Sequence, residues 1–399
     1  MFRDLLHLFQ KGWGRLQERV GRFAARWRRV GARRRRWIWW GTGVLLCFLA
    51  SPLVSFFVVW GICRQEEVPP IVAQTDASGE FARRVAPRPL RPEAATLLTF
   101  PEWYIVYNAR EYAEFLENNP PSRFPYARAI GAYWQSVCRT TAATRETYPL
   151  SQLRDGLITL HVIGPSFTLE TILSGAYETT LGRLVFWLGG SYTEEDQIAG
   201  EVAREYAVFL EYTPWYEFPY MQALARLWTE ASWWGPHVAR KWERKIALSL
   251  GYGAKALYAG VMRWVTRTTY GVQDPTTYAV IAAPEPPSIP PEVEVVARSD
   301  DYVVLRLPRY AALVPAVVAL AQEGATFLSL EGNNSIAASF LVPKGEAIPP
   351  AWGQEVVRLA VLSRPGVERV LVVLPVRRLA EVLRAAQHSP MQLDHVYDY

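Results

Sequence analysis

The sequence predicts a membrane-anchored multidomain protein. An N-terminal amphipathic helix and one transmembrane helix lead into a mainly-α, internally duplicated domain, and a C-terminal α+β domain, ferredoxin-like in outline, closes the chain. Three observations carry this reading. The run from Trp37 to Ile62, 26 residues long, contains no charge. Residues 109–134 (AREYAEFLENNPPSRFPYARAIGAYW) and 203–228 (AREYAVFLEYTPWYEFPYMQALARLW) match at 14 of 26 positions, without a gap, at an offset of 94. Beyond PEPPSIPP (284–291) the apolar pattern changes from helical spacing to alternation.

Charge is unevenly spread. The net charge is +5, yet residues 1–36 carry 12 Lys/Arg against Asp4 and Glu18, which leaves the rest of the chain at −5. A mildly acidic body argues against nucleic-acid binding, and no nucleic-acid partner is expected. Within 1–36, Leu6, Phe9, Trp13, Leu16, Val20, Phe23, Trp27 and Val30 recur at steps of three and four. Arg15, Arg19, Arg22, Arg26, Arg29 and Arg33 keep the same rhythm on another face. A coiled coil shares that spacing but prefers aliphatic seams beside mixed charges. Aromatics opposite unrelieved arginine favour a cytoplasmic helix lying on an anionic membrane surface.

The 37–62 run is long enough to cross a hydrocarbon core of ~30 Å, with Trp37, Trp39, Trp40 and Trp60 at its ends as interfacial anchors. Arg33 to Arg36 precede it and Glu66 and Glu67 follow it. The positive-inside rule then puts the N-terminus in the cytoplasm and the bulk of the chain outside a bacterial inner (cell) membrane. A cleaved signal peptide is the weaker alternative, because the basic region is too long and the apolar run outlasts an h-region.

Residues 63–98 are proline-rich and read as a linker. Cys47, Cys63 and Cys138 form no CxxC or Cys/His cluster, so no structural zinc is expected. A Cys63–Cys138 disulfide is open to the chain if both residues face an oxidising compartment.

The duplicated domain is expected over 99–274. In each copy Tyr112, Phe115 and Leu116, or Tyr206, Phe209 and Leu210, share one face of a helix that a proline turn ends. Phe-Pro-Tyr then opens a second helix. Longer helices are expected near 166–188 and 240–266, where FTLETILSGAY (167–177) and LSLGYGAKALY (248–258) are loosely alike at an offset of 81. Thr193 to Asp196 cap the start of the second copy. The stretches 157–177 and 246–265 are apolar but interrupted by charge, and read as buried or membrane-grazing helices.

The repeated polar residues have two readings. In the first, Arg110/Arg204, Glu111/Glu205 and Glu117/Glu211 are helix-surface charges pairing with the symmetric copy, while the aromatics fill a shared core. In the second, Glu111 and Glu205, or Glu102 and Glu217, face each other across a cleft with Trp103, Tyr104, Trp215 and Tyr216 around them. Paired carboxylates beside flat aromatic faces suit general acid/base work or a glycan or lipid ligand. His161, in LITLHVIG, is a candidate haem or metal ligand, although a lone histidine on an apolar face is more often a core residue. His237 is expected at a helix start. No histidine pair has ligand spacing, and no nucleophile-elbow, phosphate-loop or dinucleotide motif occurs. No cofactor or metal is expected, and no reaction is assigned.

After a second proline-rich linker (275–291), hairpins are expected around Ser299–Asp301 and Gly332–Asn334. Helices are expected at 309–323 and 377–387, further strands at 357–362 and 370–374, and a loose tail at 388–399. The functional expectation is a structural or accessory subunit, or scaffold, of a membrane complex with protein partners. The alternatives are an envelope enzyme or ligand-binding protein at the repeat interface, and a haem or metal carrier.

Overall fold

The computed structural model describes Trp39, Gly43, residues 50–59, 61, 63, 68–71, 77–86, 90, 93–189, 192–269, 275–282 and 288–397. The arginine-rich arm, and Trp37, Trp40 and Trp60 of the apolar run, lie outside the described residues; within that run Ala50–Val59 is helical. The chain divides into Met1–Ser55 and Phe56–Tyr399. The architecture below is that of the second unit.

The helices are α1 (Ala77–Val85), α2 (Glu93–Leu116), α3 (Tyr126–Thr144) and α4 (Leu150–Tyr177), which a π-turn (Glu178–Gly182) joins to α5 (Arg183–Gly189). Then come α6 (Glu194–Leu210), α7 (Tyr220–Thr229) and α8 (Val238–Thr269). The expected linker 63–98 is therefore partly helical, holding α1 and the first turns of α2. Ala82 and Phe81 of α1 pack on Tyr278, Val280 and Val304 of the first sheet, and that burial orders a segment whose prolines suggest a loose chain.

The duplication is plain in three dimensions. Tyr112 meets Phe124 edge-on with centroids 5.0 Å apart, and Tyr206 meets Phe218 at 5.0 Å. Phe115–Phe124 and Phe209–Phe218 lie at 5.4 and 5.3 Å. Pro125 and Pro219 share φ −81°, with ψ 64° and 62°. The likeness extends into the long helices: the Trp134 indole donates to Thr168 Oγ1 at 3.0 Å, and the Trp228 indole to Ser249 Oγ at 2.9 Å. Thr168 and Ser249 correspond at the offset of 81, not 94. The register slips in part because α3 has 19 residues and its counterpart α7 only 10. The capping box forms as expected, with the Thr193 amide donating to Asp196 Oδ2 at 3.2 Å.

The C-terminal region departs from one ferredoxin-like sheet. Its strands are β1 (Thr276–Ala282), β2 (Glu294–Arg298), β3 (Tyr302–Pro308), β4 (Phe327–Leu330), β5 (Ser335–Pro343), β6 (Gln354–Ala360), β7 (Val367–Pro375) and β8 (Gln392–Tyr397). Helix α9 (Leu313–Gln322) lies between β3 and β4, and α10 (Val376–Gln387) between β7 and β8. They build two four-stranded antiparallel sheets, ordered β2-β3-β1-β4 and β6-β7-β5-β8. Each half is thus the same βββαβ unit, a second duplication that the sequence does not announce. The 275–291 segment is not all linker, since β1 is an inner strand with Thr277–Ile281 buried. The tail is not loose either, because β8 pairs with β5. Only β2 and β3 form the expected hairpin. Gly332–Asn334 instead carries the chain from one sheet to the other. Glu331 (φ 49°) and Gly332 (φ 73°) are both left-handed there. The Glu331 carboxylate accepts from Thr277 Oγ1 at 2.8 Å, and Asn333 donates to Thr96 of α2 at 3.0 Å, so the turn is pinned to other elements.

Burial sets the layers. One core joins the facing sides of both sheets through α9 and α10, among them Ile281, Leu305, Leu320, Phe340, Val372 and Leu383. The opposite face of the second sheet (Ala337, Val357, Leu359, Leu371) packs on Leu97, Tyr104, Tyr133 and Leu157 of the helical duplication. Both faces of that sheet are therefore covered.

Candidate functional site

Helix α2 carries Tyr107, Arg110, Glu111 and Glu114 towards β7, β8 and the turn after β6, and a charge cluster forms where they meet. Arg369 of β7 is completely buried; its Nη1 binds Glu111 Oε1 at 2.5 Å and its Nε binds Asp394 Oδ2 at 2.7 Å. Arg110 donates to the other oxygen of Asp394 at 2.6 Å and lies 3.6 Å from Glu211. Glu111 Oε2 accepts the Leu362 amide at 2.7 Å, and the Arg369 guanidinium sits 3.9 Å from the centre of the Tyr107 ring. Burial alone would depress the Arg369 guanidinium, but Asp394 and Glu111 outweigh it and hold it above its ordinary value. Burial likewise opposes the Asp394 carboxylate, yet Arg369 and Arg110 hold it below the usual range. Burial raises Glu211 against the pull of Arg110.

Beside this cluster lies an aromatic floor. His395 stacks on Trp103 at 3.7 Å between centroids, and burial holds its imidazole down to about 3, so the ring is neutral. The Tyr107 and Tyr397 hydroxyls are 2.6 Å apart, and each is hydrogen-bonded to Ser339 Oγ, at 3.3 and 3.1 Å. His395 Nε2 and Arg369 Nη2 have no hydrogen-bond partner among the described residues.

A second cluster occupies the start of α8. Arg244 binds Glu178, the first residue of the π-turn, at 2.7 Å and Asp196 of α6 at 2.7 Å. Arg240 reaches Asp196 at 3.3 Å and donates to the Gly182 carbonyl at 3.1 Å. Lys241 binds Glu194 at 2.9 Å, and Lys245 donates to the Ala231 carbonyl at 3.0 Å. Lys241, with the Ser232 hydroxyl and amide, holds Glu194 down to about 2. Arg240, Lys241 and Arg244 thus hold the acidic first turn of α6 and the π-turn, whose irregular carbonyls accept what a regular helix would not.

The sequence-derived candidates fall in different places. Glu111 belongs to the Arg369 cluster, whereas Glu205 is half exposed and pairs with Arg226 at 2.6 Å. Glu102 is half-buried on α2, and Glu217 lies 3.9 Å from Arg263. Trp103 stacks on His395 and Tyr104 is buried near Tyr133; Trp215 stacks on Tyr258 at 5.0 Å and edge-on against Tyr216 at 5.9 Å. The members of each candidate pair thus meet different partners, including Glu111 and Glu205, which are repeat counterparts. The reading of cross-copy salt bridging is met by Arg110–Glu211. His161 is buried between Phe56 (5.3 Å) and Trp134 (6.3 Å), and no group of three or more His, Cys, Asp or Glu among the described residues is placed to hold a metal ion. His237 stands before α8 with φ 59°.

Sequence reasoning missed Arg369, Asp394 and His395. Arg369 and Glu368 are the two charges of an otherwise apolar strand, VERVLVVLP, and a charge adjoining the run VLVVLP is the signal that would have found it. Asp394 and His395 sit in a segment that resembles a tail and carries no local mark. Chemically, both clusters are dominated by ion pairs between elements distant in sequence, and they tie those elements together. No family model, no curated protein and no solved structure matches this chain.

Proposed function

We propose that this protein is a membrane-anchored extracytoplasmic scaffold, a structural or accessory subunit of a membrane complex. The observation that carries the reading is the Cys63–Cys138 disulfide. It bonds the residue immediately after the charge-free run to α3, inside the core that holds Val59, Leu157 and Tyr133. A domain on a free linker would sample many heights and orientations. The bond fixes the start of the extracytoplasmic chain to its own helical core, which suits a platform for other subunits. An oxidising exterior for everything after residue 62 agrees with that bond.

The charge clusters support the same role, because the first joins both helical copies to the second sheet and the second ties α8 to α6 and the π-turn. Extraction of the full chain in native lipid particles, followed by single-particle mass measurement, tests the proposal. A discrete species heavier than one chain, with fixed stoichiometry, is expected. A population of single chains alone would overturn it.

A further inference from the structure

We infer that the outward faces of α4 and α8 are seated in lipid hydrocarbon, so that the helix pair forms a second membrane-contacting element in addition to the anchor. This rests on the anchoring read above. On α8, Ile246, Leu250, Ala254, Leu257, Val261 and Trp264 recur every three or four residues and all face outward, with Leu250 and Leu257 71% and 74% exposed. From Ile246 to Trp264 this stripe is about 27 Å long at 1.5 Å per residue, close to the thickness of a hydrocarbon core. On α4, Ile158, Val162, Leu169, Ile172 and Leu173 are exposed in the same way. The continuous helix Leu150–Gly189 is long and apolar enough to cross a membrane, yet only 33% of its most apolar stretch is buried, too little for a core helix.

Between the ends of the pair the charges are matched to one another, with Glu170 still 56% exposed, while Arg154 and Asp155 of α4, 72% and 82% exposed, lie before the Ile158 end of the stripe. Glu170 of α4 binds Lys255 of α8 at 2.5 Å, and Glu178 binds Arg244. Ser166 and Tyr258 share a hydrogen bond at 3.0 Å, so the two helices run antiparallel with their polar groups on each other. Ionisable residues in hydrocarbon are arranged this way, since an unpaired charge there is costly. Tryptophan stands at both ends of the pair, Trp187 and Trp234 at one and Trp264 at the other, all at least 70% exposed.

The occupant is identified by continuity. Phe56, within the charge-free run, packs edge-on against His161 of α4 with centroids 5.3 Å apart. A side chain that packs on a lipid-embedded ring shares its depth, and Ile158 and Val162 flank His161 on the outer side of the same helix. A soluble partner would meet that face only where the anchor had left the membrane.

The test uses the full chain in nanodiscs of phosphatidylethanolamine and phosphatidylglycerol, with Cys47→Ser to leave no free thiol. Spin labels go on single cysteines at Leu173, Leu250 and Leu257, and at Arg204, an exposed charged position of α6, as the aqueous control. Collision with oxygen should exceed collision with a nickel chelate several-fold at the first three sites and reverse at Arg204. Nickel access at the three sites would overturn the inference in favour of water, and access to neither reagent would overturn it in favour of a covering protein. Alkaline carbonate separates this from the parent reading. A chain that stays in native membranes while its α4 and α8 labels meet water refutes only the lipid seat; a chain stripped from them refutes both.

Discussion

Arg369 and Glu111 stand 258 residues apart in sequence and 2.5 Å apart in space, and both are shut off from solvent. Through them the first helical copy is joined to the inner strand β7 of the second sheet.

A buried charge left without its partner is far more costly than a surface one. Glu111→Gln should therefore destabilise the protein by about 3–5 kcal/mol, whereas its repeat counterpart Glu205→Gln, on a half-exposed pair, should cost under about 1 kcal/mol. Urea unfolding of the full chain in detergent measures both. Equal midpoints for the two variants would show that the cluster contributes nothing of its own.

His395 makes stability depend on pH. Its folded value of about 3 lies well below the ordinary histidine range, so between about pH 3 and 6.5 the unfolded chain binds a proton that the native chain refuses. This contribution is fully present above about pH 6.5 and is lost as pH falls. Unfolding midpoints should drop steeply from pH 6.5 to 4, and His395→Phe should flatten that slope. An unchanged slope in the variant would assign the pH dependence to the carboxylates, Asp394 first.

Closing a loop of 75 residues, the Cys63–Cys138 bond should contribute roughly 4 kcal/mol by restricting the unfolded chain. Cys138→Ser should lower the melting temperature by an amount close to that produced by reducing the wild type. A reductant effect that persists in the variant would place the sensitivity elsewhere.

Close helix packing rests on particular glycines. A Cβ at Gly164 would come within 2.6 Å of the Tyr133 ring and 2.8 Å of Trp134, whereas one at Gly131 of α3 meets nothing within 4 Å. Gly164→Ala should cost about 1–3 kcal/mol, and Gly131→Ala should gain up to about 1 kcal/mol from helix propensity. Thermal melts that shift in opposite directions check the pair; a shared direction would refute the packing account.

Local patterns were legible where one element answers to its own residues. Tyr112, Phe115 and Phe124 and their copies set an aromatic cluster that forms twice with nearly the same geometry, because the whole cluster lies within one short segment. Phe327–Leu330 and Gln392–Tyr397 show the contrast. The first, FLSL, is a short apolar run before a Gly-Asn-Asn turn and reads as a strand. The second reads as a polar tail, and it becomes a strand only because β5 offers an edge and Trp103 a face for His395.

By itself the sequence determined the charge-free run, the helical duplication, the caps and turns that bound its helices, and the change to strands beyond the prolines. These depend on periodicity and on backbone restrictions within a few residues. Tertiary structure alone decided that the strands divide into two like-ordered sheets, that Cys63 finds Cys138, and that Glu111 pairs with Arg369 while Glu205 turns outward. The physical reason is that pairing energy between distant residues depends on which surfaces burial brings together. The residues that the two repeats share therefore carry no information about the different neighbours each copy will meet.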